Sequence, residues 1–543
     1  MIEINGIKNM FIRKKFNKSG SCSVMLVTGE RVAGKKNPIT RTIKYFGSAK
    51  DKKQLDVLLK SAEAYKTNVE AASPKALTLK IASDLDIKSC RSFNTGFCDV
   101  YGPVFESVFS KLDVKPNLMS KLRDLAIMRI AAPSSKLKMT AIAPEYGIEH
   151  QVDNIYKAMD QITAPVINKI KQAVYDNTKQ LLAANNKTVD VLFYDLTTIY
   201  FETSAQNELR DFGFSKDGKH QYVQIMLAMI VTTDGLLIDY EEFPGSCYEG
   251  HTLIPVLQEL KQRYAINNIV LVADAALMNN INLQELNSNN IKYVIAARIK
   301  NTTKEIKQSI LTIDDYVSIV GNSVNTQEEI KAKTITLADD CIIAYHSTKR
   351  AKKDAYDREK SLEKIQKHVN SSTKSKLTGI LKKPYVKISK GCKIEIDPVK
   401  LENDKQYDGF FGIRTNIENP NPLDLLSSYR GLWQIEQTFR IAKNSLEIRP
   451  VFHYKPQRIR AHLAICYMAL ALVRTTEFLL KNQGQHIPHE QLHLLLDSMR
   501  KVSIINSDNN LIELLEDPPP ELVPIYQALQ IKWPKRFSYQ VKP

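Results

Sequence analysis

Between residues 188 and 300 the chain carries five short apolar runs, and two of them end in aspartate. TVDVLFYDLTT is the first, followed by HQYVQIMLAMIVTTDGLLIDYEEF, which reads as two strands joined by a turn at Thr233, Asp234 and Gly235. A helical stretch (TLIPVLQELKQRY), the run NIVLVADAA, a second helical stretch (NINLQELNSNN) and the run YVIAARI complete the segment. In the first strand, alternation puts Val191, Phe193 and Asp195 on one side and Leu192 and Tyr194 on the other. An ionised carboxylate at the end of such a strand is costly to desolvate without a partner. Asp274 closes IVLVAD in the same way. A lone aspartate there usually caps the next turn or helix. Two at equivalent strand ends point instead to a shared cation.

Strand-strand-strand-helix-strand-helix-strand is the ribonuclease H-like order. The expected fold is therefore α/β, with a ribonuclease H-like core: a mixed five-stranded sheet with helices. A β-rich insertion interrupts this core, and a small β-hairpin region and a helical N-terminal domain precede it. For the 543 residues the boundaries read as a basic β-rich region at 1–50, with strands at MFIRKKF, CSVMLV and TRTIKYFG, and a helical DNA-binding or dimerisation region at 51–185. The first segment of the core follows at 186–300, then a basic, strand-like and turn-rich insertion at 301–425 ending in GFFGIRTN. The second core segment spans 426–480 and a C-terminal helical tail 481–543.

A third carboxylate comes from the helical segment expected from Leu423 to about Glu447. Leu432, Ile435, Phe439, Ala442 and Leu446 form its apolar stripe, and Tyr429, Glu436, Arg440 and Lys443 line a neighbouring face. Alone this is an ordinary amphipathic helix. Together with Asp195 and Asp274, Glu436 could help hold two divalent metals ~4 Å apart, the arrangement for in-line phosphoryl transfer. All-oxygen ligands suit Mg²⁺ or Mn²⁺. The three acids are therefore expected in one cluster.

Charge names the partner. Lys and Arg number 76 against 59 Asp and Glu, a formal net of +17. The excess is local: residues 1–60 hold 14 basic and 4 acidic side chains, and residues 341–400 hold 16 and 6. Local basic excess is the footprint of a polyanion, most simply nucleic acid. In the second block Lys382, Lys383, Lys387 and Lys390 are candidate phosphate contacts.

Several other classes are disfavoured. No run is read as the ~18 apolar residues of a membrane span, and the N-terminus lacks signal-peptide order. Seven cysteines without a C-x-x-C pair argue against a disulfide scaffold or zinc ribbon and fit a reducing cytoplasm. GERVAGKK at 29–36 is near a P-loop, but Lys36 replaces the hydroxyl and Asn37-Pro38 and a strand follow, so it reads as a basic β-hairpin without a nucleotide cofactor. His453 and His462 lack metal-ligand spacing and read as core or DNA-facing.

The segments FYDLTTIYFE, FPGSCYE, LVADAALMN, KDAYDRE, YDGFFGIRTN and YRGLWQIEQTFRIAKNSLEIRPVFH, in this order and spacing, resemble DDE transposases of the insertion-sequence four group. The likeness is to the long branch with a strand-rich insertion before the third acid. It covers about residues 188–475, and the N-terminal strands are similar too. The resemblance implies Asp195, Asp274 and Glu436 as catalytic metal ligands, and cut-and-paste transposition by 3′-end hydrolysis at transposon ends followed by strand transfer. It also implies terminal-repeat and target DNA as double-stranded partners, a homodimer assembled on DNA, and a prokaryotic cytoplasmic setting. In the family signature Y-x-x-R-x-x-x-E-x-x-x-x-x-x-K, Tyr429, Glu436 and Lys443 match. Leu432 holds the Arg position, and Arg430 lies roughly 200° around the helix from it. One phosphate contact implied by the family is thus missing. A relative stacks an insertion Trp on a flipped base. Here Trp433 and Trp533 lie outside the insertion, which leaves Tyr345 or Phe411 as stacking candidates. The alternatives are a DNA-binding relative that has lost catalysis and a ribonuclease H-like nuclease.

Overall fold

The computed structural model describes residues 10–17, 21–30, 39–49, 51–72, 87–215, 218–264, 266, 269–274, 279–319, 329–369, 385–389, 393–507 and 509–540. The chain divides into two compact units. One comprises Met1–Ser92, Ser498–Val523 and Pro534–Pro543, and the other Phe93–Asp497 and Pro524–Trp533.

The first unit opens with the three strands expected from the sequence: β1 (Met10–Phe16), β2 (Cys22–Glu30) and β3 (Ile39–Ala49), an antiparallel sheet in the order β1-β2-β3. Val24, Leu26 and Val27 are buried along β2. Residues 31–36 of the P-loop-like segment lie outside the described residues, but the flanking β2 and β3 pair antiparallel, as a hairpin does. The helix Lys52–Ala72 follows. β4 (Ile87–Asn94) lies inside the region expected to be helical throughout.

The second unit holds the core. β5 (Val191–Tyr200), β6 (Gln224–Thr232) and β7 (Leu237–Pro244) form an antiparallel meander. β8 (Val270–Ala273) and β9 (Lys292–Ala297) then join parallel to β5. The resulting order β7-β6-β5-β8-β9 is the ribonuclease H-like one. The sheet does not stop at five strands. β10 (Val317–Ile319), β11 (Ile330–Thr336), β12 (Cys341–Ser347) and β15 (Phe410–Thr415) extend it beyond β9 to nine. Between β12 and β15, β13 (Val386–Ser389) and β14 (Lys393–Ile396) form a small hairpin. The stretch expected to be strand-like and turn-rich also contains a 22-residue helix, Thr348–Val369.

The expected single helix at 423–447 is three pieces: Pro422–Arg430, Trp433–Arg440 and a π-helical turn at Ile441–Ser445. The break falls at Gly431, where a Cβ would sit 2.6 Å from the Phe193 ring of β5. A residue with a side chain there would have to displace that ring, although the Gly431 backbone itself is ordinarily helical. The next helix, Pro456–Asn482, corrects the reading that no run is apolar enough to span a membrane. By length and composition it qualifies, yet 89% of its apolar window is buried inside the protein. Finally β16 (Arg500–Asn506), β17 (Leu511–Leu515) and β18 (Phe537–Gln540) pair in the order β18-β17-β16-β4.

Candidate functional site

The parallel register between β5 and β8 runs from Val191 opposite Val270 to Tyr194 opposite Ala273. Asp195 and Asp274 each follow that last pair directly; Asp274 lies just past the end of β8, whereas Asp195, expected at a strand end, sits in the middle of β5, which runs on to Tyr200. Leu192, Tyr194 and Leu196 of β5 belong to a buried cluster with Leu271 and Ala273. Alternation therefore sends Phe193 and Asp195 to the opposite face, where Gly431 packs on Phe193. The segment carrying Glu436 lies on that face.

Asp195 is half-buried, and its Oδ1 accepts a 2.7 Å hydrogen bond from its neighbour's amide, Leu196 N. Asp274 is exposed just past β8, and residues 275–278 lie outside the described residues. Glu436 is exposed on Trp433–Arg440, whose Ile435 and Phe439 are buried. Half-buried Tyr429 links two of the acids. Burial raises its phenol above the ordinary range, Asp274 and Glu436 push it further up, and Arg350 opposes them. Both carboxylates thus act on one hydroxyl. Among the described residues, no three His, Cys, Asp or Glu side chains are grouped closely enough to hold a metal ion.

Arg440 is exposed at the end of its helix, whereas Lys443 falls in the π-helical turn, which shifts its angular position from the two-turn spacing expected for one continuous helix. Lys443 lines a pocket of about 500 Å³ with Tyr200, Lys219, Glu447 and Arg449. The Lys219 ammonium and the Arg449 guanidinium lie 5.6 and 5.7 Å from the Tyr200 ring centre, and burial lowers the Arg449 pKa. Of the four candidate insertion lysines, Lys387 is exposed on β13. Lys382, Lys383 and Lys390 lie outside the described residues. Tyr345 is fully buried, donates to the Pro422 carbonyl at 2.7 Å and stacks on Phe411 with centroids 5.0 Å apart. It cannot present a face to a base. Arg350 covers Phe411 at 4.9 Å.

Sequence reasoning missed Lys219, Arg449 and Arg350. Only KDAYDRE, three residues after Arg350, signalled that neighbourhood.

A sheet in this order, with Asp195 in mid-strand, Asp274 just past the neighbouring parallel strand and Glu436 on a covering helix, defines the ribonuclease H-like class of folds. Residues 188–472 match the transposase DDE domain family, and this chain belongs to it. The matched span includes all three acids. No curated protein matches the chain. Among solved structures, a cryo-EM structure of the piggyBac transposase synaptic complex with hairpin DNA is similar at 9% identity and a TM-score of 0.37, covering 75% of this chain and 82% of that one.

Proposed function

We propose that the protein catalyses cut-and-paste transposition of an insertion sequence, with Asp195, Asp274 and Glu436 as the catalytic acids. The observation that supports this reading is the parallel β5–β8 register, whose last pair, Tyr194 opposite Ala273, immediately precedes Asp195 and Asp274. Their donors are all oxygen, which suits Mg²⁺ or Mn²⁺, and the three side chains would have to draw together to hold two such ions. Bound there, the ions would supply activation of a water and charge stabilisation for the leaving oxygen at each transposon end. The Tyr429 phenol, held protonated by burial and the nearby acids, is suited to donate a hydrogen bond to a phosphate oxygen. Lys443 and Arg440 supply positive charge for the same backbone, and Arg350 adds a cation that acts on Tyr429.

The basic block at 1–60 would bind the terminal repeat, and that at 341–400 would follow backbone phosphates as the protein assembles as a dimer on DNA. The domain boundaries expected from the sequence serve as functional divisions, with the insertion contributing strands to the core sheet.

The test is Asp274→Asn in purified protein with Mg²⁺ and labelled DNA carrying the element's ends. The amide keeps the size and loses the metal-holding charge, so cleavage should vanish while DNA affinity stays within about twofold. Cleavage near the wild-type rate would refute the assignment. Cleavage by wild-type protein without joining to target DNA would favour a nuclease, and binding without cleavage an inactive relative.

A further inference from the structure

The helix Lys136–Ile142 is turned inside out relative to its sequence. Lys136 is 2% exposed, whereas the next residue, Leu137, is 66% exposed. Burying an ammonium while presenting a leucine to water is unfavourable on both counts. Among the described residues, the Lys136 Nζ has no hydrogen-bond partner. Nor does a carboxylate compensate it: burial lowers its pKa far from the ordinary value, Arg129 lowers it further, and only Cys466 acts the other way.

Lys136 lines a cavity of about 60 Å³ together with Arg129, Ser134, Ser135, His453 and His462. That volume is roughly four times the ~15 Å³ a single water needs, enough for a tetrahedral oxyanion. The donors around it are incompletely used. Arg129 is buried and donates through Nη2 to the Ser134 carbonyl at 3.0 Å, while its Nε has no partner among the described residues. Buried His462 is bonded through Nε2 to the Ile448 carbonyl, and its Nδ1 likewise has none. Burial also holds the His453 pKa down at about 4. The one acid on the wall, Glu447, is exposed.

The cavity lies beside the pocket of Lys443. Both are lined by Glu447, Arg449 and Pro450. On its other side, Ser134, Lys136, Phe452 and His453 are shared with an open cavity of about 450 Å³. Exposed Phe452 and Tyr454 flank this route, and the Arg210 guanidinium lies 5.6 Å from the Tyr454 ring. Cations interleaved with exposed aromatics are the surface that nucleic-acid strands follow.

We propose that the cavity of Arg129, Lys136 and Ser134 is a phosphate subsite that grips a backbone phosphate of the DNA strand leading to or from the acidic centre. The DNA side of this assignment rests on the transposase reading above; the anion site does not. Lys136 would be the principal contact, with Arg129 Nε and a serine hydroxyl sharing the oxygens.

The test uses the full chain and two variants, Lys136→Met and Arg129→Gln. Inorganic phosphate, compared with chloride at equal ionic strength, should raise the wild-type melting temperature saturably. Lys136→Met should melt higher than wild type without phosphate and lose the phosphate response. Duplex affinity should fall about tenfold, the scale of one charge-assisted contact. The slope of log affinity against log salt should flatten by about 0.9, the increment for one phosphate. An equal phosphate response in wild type and Lys136→Met, or none in wild type, overturns the site. A lost phosphate response with unchanged DNA affinity and salt slope overturns the strand assignment and leaves a small-anion site. If Lys136→Met does not fold, Arg129→Gln reads the same quantities. Asp274→Asn is run alongside: cleavage retained there refutes the transposase reading alone, while the phosphate response judges the cavity independently.

Discussion

Replacing Arg474 with methionine should unfasten the helix that carries Glu436. Arg474 is 5% exposed on the long buried helix Pro456–Asn482. Its Nε donates to the Gly235 carbonyl at 2.8 Å, its Nη2 to Gln434 Oε1 at 2.9 Å and its Nη1 to Glu477 Oε2 at 2.7 Å. Gln434 is buried two residues before Glu436, so one guanidinium ties the helix Trp433–Arg440 to the β6–β7 turn. Methionine keeps most of the aliphatic volume and removes all three bonds. Each charge-assisted bond is worth about 1.5–3 kcal/mol, but the three are not additive. Leaving Glu477 without its cation sets the scale, about 3–5 kcal/mol for a broken buried pair.

The loss should depend on pH. Burial raises the Glu477 pKa above its ordinary value, and Arg474 opposes that rise. A carboxyl with a raised folded pKa binds more protons folded than unfolded, so stability falls as pH climbs from the ordinary value through the folded one. Without Arg474 the folded pKa moves higher still, so the deficit should be full above that pKa and shrink toward pH 4–5. Urea unfolding of both proteins at pH 5 and pH 8 measures this. Cleavage should fall further than DNA affinity, because the helix carrying Glu436 is loosened. Gly235→Ala should mimic the variant, since φ is +79° there and a Cβ would lie 1.5 Å from Arg474 Nη2. A deficit under about 1 kcal/mol at pH 8, or one that does not change with pH, would refute the reasoning.

Lys443→Ala should weaken end-DNA binding or the cleavage step by ~1–3 kcal/mol while leaving metal affinity intact; unchanged values in filter binding and cleavage would make it a surface lysine. Joint replacement of Lys382, Lys383, Lys387 and Lys390 by Gln should flatten the salt dependence of DNA affinity by about 0.9 for each phosphate no longer neutralised, and an unchanged slope would make the block solvated surface. Lys171→Met should cost about 3 kcal/mol in urea unfolding, because Lys171 sits 3.2 Å from Asp239 and the two are 3% and 1% exposed. Arg263 also pairs with Asp239, and this should keep the loss below that of a lone pair; a loss under about 1 kcal/mol would show that Arg263 compensates fully.

The core was legible because its strands announce themselves. β5, β6, β8 and β9 are apolar runs of strand length bounded by turn or helix signals, and their order fixes the sheet. The insertion was legible as strand-rich, but its helix and its place in the core sheet were not, for two physical reasons. Its long helix Thr348–Val369 is so charged that its thin apolar stripe, Ala351, Ala355, Leu362 and Ile365, is easily overlooked. It is steadied instead by pairs such as Arg350 with Asp354 at 3.7 Å and by Arg358 with Asp408. Its strands complete the core sheet through β15 against β9, a partnership between residues more than a hundred positions apart. β4 escaped notice likewise, since its partner β16 lies near the other end of the chain.

Acids and cations in this site differ in how sequence displays them. Asp195 and Asp274 stand out because a charge interrupts an apolar strand, and the interruption is visible in one dimension. The break at Gly431 is not, because the apolar stripe continues across it; the Phe193 ring beneath shows only why a glycine fits there. The cations are harder still. In SSKLKMT, Lys136 and Lys138 look alike, and the intervening leucine looks like the buried residue. What separates the two lysines is which one the fold turns inward, toward Arg129 and the histidines, and so away from any carboxylate that would neutralise it. A residue whose role depends on lacking a counter-charge can be recognised only after every neighbour has been placed. This is why the metal-holding candidates emerged from the sequence while Arg129 and Lys136 required the structure.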